Sequence, residues 1–240
     1  MKKITVFKFF IIVAGILASF AVNSSHAQIN ADKLLSDVRK NFDKVKDYSA
    51  DMLIKVDVSI IRVPETKVRI LFKAPDKMRI KSENFAMLPK AGMNFSPNDL
   101  LKGDNSIIFE KEENWNGSRI AVIKLIPLGT STDIVLSTIW VDVNQLVVRK
   151  VESTTKTKGT FVIDLQYDKS VTEFPLPSVM TFKFDTARQN LIPEEGEDPP
   201  KEFKKDKKKK TEGTVKIIYS GYKVNRGIAD SEFIEKEKAK

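Results

Sequence analysis

Ala50-Asp51-Met52-Leu53-Ile54-Lys55-Val56-Asp57-Val58-Ser59-Ile60 alternates with a period of two. Ala50, Met52, Ile54, Val56, Val58 and Ile60 fall on one side of an extended backbone, and Asp51, Lys55, Asp57 and Ser59 take most of the other. Side chains alternate across a strand, so the pattern predicts a long strand with one buried and one wet face. Downstream, Val63-Pro64-Glu65 turns the chain. A second strand then sets Val68, Ile70 and Phe72 against Lys67, Arg69 and Lys73. Ala74-Pro75-Asp76 breaks it, and Met78 and Ile80 resume the alternation.

Upstream the period changes. Leu34, Leu35, Val38 and Phe42 recur at helical spacing and predict one amphipathic helix from Ala31 to near Lys46. Before it, Lys2, Lys3 and Lys8 flank an apolar run from Phe9 to Val22, and Ser25-His26-Ala27 offers small residues around a cut before Gln28. That order predicts a secretory signal peptide over 1–27, leaving a single domain over 28–240 that is exported to the periplasm. The apolar run is shorter than the roughly 20 residues a membrane span needs.

Further along, Ser96-Pro97-Asn98-Asp99 has the form of a helix start, and that helix ends by Gly103. Strand patterns return at Ile107 to Phe109, Ile120 to Ile126, Ile134 to Val143, Leu146 to Ser153, Thr160 to Tyr167, Val179 to Phe184 and Thr214 to Tyr222. Asn116-Gly117 between the first two is a hairpin dipeptide, although Asn116-Gly117-Ser118 also reads as a glycosylation sequon. Many short antiparallel strands with few helices predict a mainly β fold whose sheet curls or closes.

Residues 187–213 hold Pro193, Glu194, Glu195, Pro199 and Pro200, then a Lys run from Lys204 to Lys210 broken by Asp206. So little there is apolar that a disordered, Lys-, Glu- and Pro-rich loop over about 186–213 is expected. The run could touch an anionic membrane transiently; export argues against nucleic acid. Formal net charge is +9, from 41 basic and 32 acidic residues. Removal of the leader leaves 38 basic residues against 32 acidic, a balance of +6.

The chain has no Cys, and its one His is His26, inside the leader. The mature domain therefore lacks the residues for a Ser-His-Asp or Cys-His nucleophile and for His- or Cys-ligated zinc. No phosphate- or dinucleotide-binding glycine motif is present, and no cofactor is expected. Paired carboxylates remain open in principle, with Asp142, Glu152, Asp164 and Asp168 as candidates. Carboxylates on alternating strands are usually the wet face, so no enzyme is expected.

What the chain does carry is apolar strand surface beyond what two short helices can cover. Uncovered apolar sheet calls for a ligand. Met52, Met78, Met87, Met93 and Met180 add adaptable contacts for one.

Several segments resemble one family. The opening helix followed by Phe42-Asp43-Lys44-Val45-Lys46-Asp47-Tyr48-Ser49-Ala50-Asp51 is similar to the start of the periplasmic lipoprotein carrier family LolA. Phe72-Lys73-Ala74-Pro75-Asp76-Lys77-Met78-Arg79-Ile80 resembles its second-to-third strand junction. The stretch from Ile139 to Lys150 resembles its central hairpin, and Tyr219-Ser220-Gly221-Tyr222-Lys223-Val224-Asn225 with Ile228, Asp230 and Phe233 its closing strand. The resemblance implies an open, incomplete antiparallel β-barrel covered by α-helices. Its apolar interior would take acyl chains of lipoproteins or other lipids from an inner-membrane donor to an outer-membrane acceptor, in a monomer.

On that reading the lipid-lining residues are Met52, Ile54, Val56 and Val58 from the first strand and Val68, Ile70 and Phe72 from the second. Met78 and Ile80 follow from the third, then Phe85, Met87 and Leu101 from a mobile lid over residues 85–101. The alternative from another class is a periplasmic sensor or assembly protein that binds a protein partner through the same fold. Two departures from the family stand out. Residues 90–109 replace a Gly-then-aromatic strand, and no Arg stands near the first strand where the family uses one to hold its closed state; Arg39 and Arg62 are both displaced.

Overall fold

Period-two alternation can be satisfied only if every strand turns its apolar side to one common face, and the sheet does this along its whole width. The computed structural model describes residues 29–58, 61–62 (backbone only), 64–81, 101, 103–129, 133–185 and 212–234. The first strands are β1 (Asp47–Val58), the two-residue β2 (Ile61–Arg62), β3 (Thr66–Lys73) and β4 (Lys77–Lys81). Next come β5 (Asn105–Trp115), β6 (Ser118–Pro127), β7 (Ile134–Asp142) and β8 (Val147–Thr155). The last are β9 (Gly159–Gln166), β10 (Val179–Asp185) and β11 (Glu212–Val224).

All pairings are antiparallel, and the spatial order is β4-β3-β1-β11-β10-β9-β8-β7-β6-β5, with β2 pairing the end of β1. The register aligns the apolar positions into rungs. Val56 lies opposite Val215, Val215 opposite Phe182, and Phe182 opposite Ile163. The same rung continues through Val151, Ile139 and Ile123 to Phe109 on β5. Strand twist rolls this face inward. Side chains from β1, β3 and β6 to β11 accordingly meet in one buried cluster with the helix. The edge strands β4 and β5 stay unpaired with each other, so the barrel is open, and residues 82–104 connect its two edges.

Helix α1 (Ala31–Phe42) fills the concave side. Asn30 caps it, its Oδ1 accepting from the Lys33 amide at 2.8 Å, and Ala31, Leu34, Leu35 and Val38 are buried against the sheet. It stops at Phe42, four residues short of the expected end near Lys46. The reason lies far along the chain. The Asn225 side chain accepts from the Lys46 amide at 2.7 Å and donates to the Lys44 carbonyl at 2.9 Å, which pulls this segment out of helical geometry and into β1.

Four other expectations meet corrections or limits. The strand expected at Ile107 to Phe109 runs on to Trp115, because β5 pairs with β6 even where its side chains are charged. β11 begins at Glu212, so residues 212–213, expected in the loop, are strand residues paired with Asp185 and Phe184. Of the two covering helices expected, the described residues hold the first. The helix expected from Ser96, the leader and the rest of the Lys-rich segment lie outside the described residues.

The Asn116-Gly117 dipeptide forms the β5–β6 turn with φ of 51° and 86°, the left-handed pair a two-residue hairpin requires. By the same alternation of directions, the connections 59–65, 82–104, 128–133, 156–158 and 186–211 all leave one end of the barrel. That end is called the mouth below.

The convex face carries charged pairs such as Arg69–Asp51 at 2.7 Å and Lys124–Glu110 at 3.1 Å. Exposed pairs of this kind contribute at most about 1 kcal/mol each. Over β3 and β4 that face is covered by the chain after β11. Asp47, 5% exposed, anchors it by accepting from the Arg226 amide at 2.9 Å and the Gly227 amide at 3.0 Å. Beyond it, Asp230 meets Lys73 at 2.6 Å and Lys77 at 3.0 Å.

Hydrogen bonds from Lys73 and Lys77 hold the Asp230 carboxyl down to about 2. Its folded value lies below the unfolded one, so its contribution is complete above roughly pH 4 and is lost as pH falls through about 2. The protection factors of residues 228–234, with the intrinsic exchange rate at each pH divided out, should therefore fall between about pH 4 and pH 2, and less so in high salt. Protection factors unchanged across that window would show that the pair does not hold the segment.

Candidate functional site

The four candidate carboxylates are each taken up by local partners. Asp142 is fully buried, but its Oδ1 accepts from the amides of Asn144 at 3.1 Å and Gln145 at 2.9 Å, and its Oδ2 pairs with Arg149 at 3.0 Å. Asp164 pairs with Lys183 at 2.9 Å and Glu152 with Lys150 at 3.6 Å. Asp168 accepts from the Ser170 amide at 2.8 Å. Each of the four is engaged in its own local structure. Among the described residues no three His, Cys, Asp or Glu side chains gather as a metal site would need.

The concave side offers a different kind of site. Between α1 and the edge hairpin β5–β6 lies a cavity of about 420 Å³ near the mouth. Its apolar lining is Leu35 from α1, Leu101, Ile107 from β5, Leu125 from β6, and Leu128 just beyond β6. Asp32, Ser36 and Arg39 on α1, with Gly103, Asp104 and Asn105, complete the lining. Such a volume, with apolar and polar lining residues in about equal number, is of the size that small ligands occupy. The helix is positioned by its buried stripe and by Asn41, whose Nδ2 donates to the Leu146 carbonyl at 3.1 Å. Arg39 donates to the Leu101 carbonyl and so ties the segment joining the two barrel edges to the helix.

The expected lining residues divide into three groups. Met52, Ile54, Val58, Val68 and Ile70 point into the concavity and are 0–5% exposed, packed as core. Val56 and Ile80 are half-buried against that core and Phe72 is half-buried on the Tyr48 ring, while Met78, on the edge strand β4, is 37% exposed. Leu101, 3% exposed, alone among the ten described both lies in the core and lines the cavity. Phe85 and Met87 lie outside the described residues, as do residues 85–100 of the expected lid. Leu35, Ile107, Leu125 and Leu128 were not singled out as lining residues by sequence reasoning. Leu128 had a signal: an apolar residue left directly after a strand that ends in Pro127.

The opposite end of the barrel is plugged by aromatic rings, among them all four tyrosines. Tyr48 stacks on Phe72 at 5.2 Å and meets Tyr222 edge-on at 5.6 Å, and Tyr219 stacks on Tyr222 at 5.9 Å. The Tyr222 hydroxyl donates to the Pro177 carbonyl at 2.8 Å and the Tyr167 hydroxyl to the Val148 carbonyl at 2.9 Å. Burial pushes all four phenols above their ordinary range, so they stay neutral. An apolar ligand entering from the mouth therefore meets a closed far end.

No protein-family model matches this chain, and no curated protein matches it. Solved structures do. A DUF1329 family protein from Desulfovibrio piger superposes with a TM-score of 0.56 at 11% identity, covering 86% of this chain and 98% of that one. A domain described as an outer membrane lipoprotein-sorting protein, from Vibrio parahaemolyticus, gives 0.53 at 14% identity over 85% and 97%. A LolA superfamily protein from Nitrosomonas europaea gives 0.51 at 12% identity over 87% and 99%. At these identities the likeness speaks to the fold. An unclosed antiparallel barrel wrapped on one helix, matched over nearly the full length of all three, gives this chain a LolA-like fold.

Proposed function

We propose that this chain is a non-enzymatic periplasmic carrier that takes the acyl chains of lipoproteins or other lipids into its concave face for delivery toward the outer membrane. The observation that supports this most directly is the partly apolar cavity between α1 and the β5–β6 hairpin, at the mouth of a barrel whose far end is filled by aromatic rings. Burying a methylene stabilises by about 0.8 kcal/mol, so a 16-carbon chain gains roughly 12 kcal/mol as an upper bound. Release into water would be slow on that scale. Cargo must pass from an inner-membrane donor directly to an outer-membrane acceptor, with the carrier acting as a monomer.

Two features fit. No helix among the described residues is long and apolar enough to cross a membrane. The Lys run at 204–210 belongs to a connection whose flanking strands end at the mouth, at Asp185 and Glu212. An anionic membrane surface is therefore the contact proposed for that run.

The test is native mass spectrometry of the mature protein purified from its own envelope without detergent, with a fluorescent fatty acid titrated in parallel. Leu128 is 67% exposed at the cavity rim. Leu128→Asp should leave the thermal unfolding midpoint unchanged while weakening fatty-acid binding by at least about tenfold. A stoichiometric acylated adduct supports the carrier reading. Bare protein that takes up no fatty acid would sink it.

The second reading, a module that binds a protein partner, rests on Ile108 and Ile126. They are 45% and 37% exposed on the outer side of the same hairpin. It becomes the better account if the protein proves lipid-free.

A further inference from the structure

One rung of the concave face breaks the apolar rule. From the edge inward it runs Ile107, Leu125, Ser137, Ser153, Phe161 and Phe184, each directly opposite the next. Its first two residues line the cavity. Its next two are serines, 2% and 0% exposed, at positions that the neighbouring rung fills with Ile139 and Val151. Their hydroxyls lie 2.7 Å apart and bond to one another, in either direction.

Two hydroxyls carry two protons. One bond uses one of them, and among the described residues neither serine donates to any other acceptor. One donor proton is therefore left over, on a side chain shut away from bulk water. A buried donor without an acceptor is unfavourable, and such groups call for an explanation. Val at both positions would pack better and keep strand propensity. The pair faces the concavity one strand away from the cavity wall at Leu125.

We propose that the Ser137–Ser153 pair is a polar anchor for cargo: the spare hydroxyl proton is donated to a carbonyl or carboxyl oxygen of a lipid whose tail fills the cavity. This rests on the carrier reading and deepens it. The site selects oxygenated acyl compounds, such as esters and fatty acids, over plain hydrocarbon of the same length. A binding site that hydrogen-bonds one ligand group discriminates against analogues lacking it, because its own polar group is then left unpaired.

The probes are methyl palmitate and heptadecane, each used to displace N-phenyl-1-naphthylamine from the detergent-free mature protein, with circular dichroism and thermal unfolding run on every variant. The wild type should prefer the ester by about fivefold, the equilibrium worth of one hydrogen bond. Ser137→Ala and Ser153→Ala singly each keep one hydroxyl and should keep the preference. The double variant should bind the two ligands equally, with heptadecane affinity unchanged. Equal binding of both ligands by the wild type, or a preference that survives in the double variant, overturns the anchor while leaving the carrier reading intact. Failure of both ligands to displace the dye sinks the carrier reading itself.

Discussion

Ile54→Glu should abolish cooperative folding. Ile54 is 0% exposed, lies opposite Ile217 on β11 and sits in the cluster that joins the sheet to α1. A carboxylate there has no cation and no hydrogen-bond donor, so it must be desolvated unpaired or neutralised. The cost exceeds about 4 kcal/mol, a large part of a stability that for a domain is about 5–15 kcal/mol. Ile54→Ala, which leaves only a cavity, should cost about 2–5 kcal/mol and still unfold cooperatively. Lowering the pH toward about 4 protonates the introduced carboxyl in either state and should recover part of the loss. Urea unfolding followed by circular dichroism checks all three. A well-folded Ile54→Glu protein would mean that the space around β1 is wet, not packed.

This outcome also decides how the lipid site can be probed. Charging Ile54 tests the core, and lost lipid binding there would report unfolding. Phe72→Glu is milder, since Phe72 is half-buried and stacks on Tyr48 at 5.2 Å. Only the rim, where Leu128 is exposed, lets binding be changed without disturbing the fold.

Asp142→Ala should destabilise by about 3–5 kcal/mol, the cost of removing one partner from a buried ion pair. The carboxylate holds two amides of the 143–146 turn and the Arg149 guanidinium, which also lies over the Tyr167 ring at 5.4 Å. Without it the amides of Asn144 and Gln145 lose their acceptor and Arg149 loses its counter-charge. The turn is also where α1 docks, because Leu146, in the left-handed conformation at φ 53°, offers its carbonyl to Asn41. Loosening the turn should therefore loosen the helical wall of the cavity. Hydrogen exchange in Asn41 to Lys44 should rise along with it. Asp142→Asn keeps an acceptor for the turn and should lose only part of this. A stable Asp142→Ala protein would remove the structural account of this carboxylate and reopen its candidacy as a reactive group.

How much of this could be read beforehand differs by element. The apolar alternation of β1 and β3 was plain, and the inward set Met52, Ile54, Val68 and Ile70 followed from it. So did the turn at Asn116-Gly117, because few dipeptides tolerate two left-handed residues in succession. β5 was read short because Glu110, Lys111 and Glu112 carry no period. Its pairing with β6 comes from hydrogen bonds of the backbone, which the side-chain pattern does not display. The end of α1 was missed because Asn225, which draws Lys44 and Lys46 out of helical geometry, lies some 180 residues away in the chain.

The sequence by itself determined a mainly β domain with a single apolar face, since a period of two leaves a strand no other way to bury its hydrophobic residues. It determined equally that residues 28–240 hold no His and no Cys. Only the tertiary structure decided which apolar residues are core and which border open space. Both kinds carry the same alternation. What separates them is how far the sheet curls and where α1 lies across it. The curl filled the β1–β3 side with packed side chains and left the cavity on the opposite side, between the helix and the β5–β6 edge.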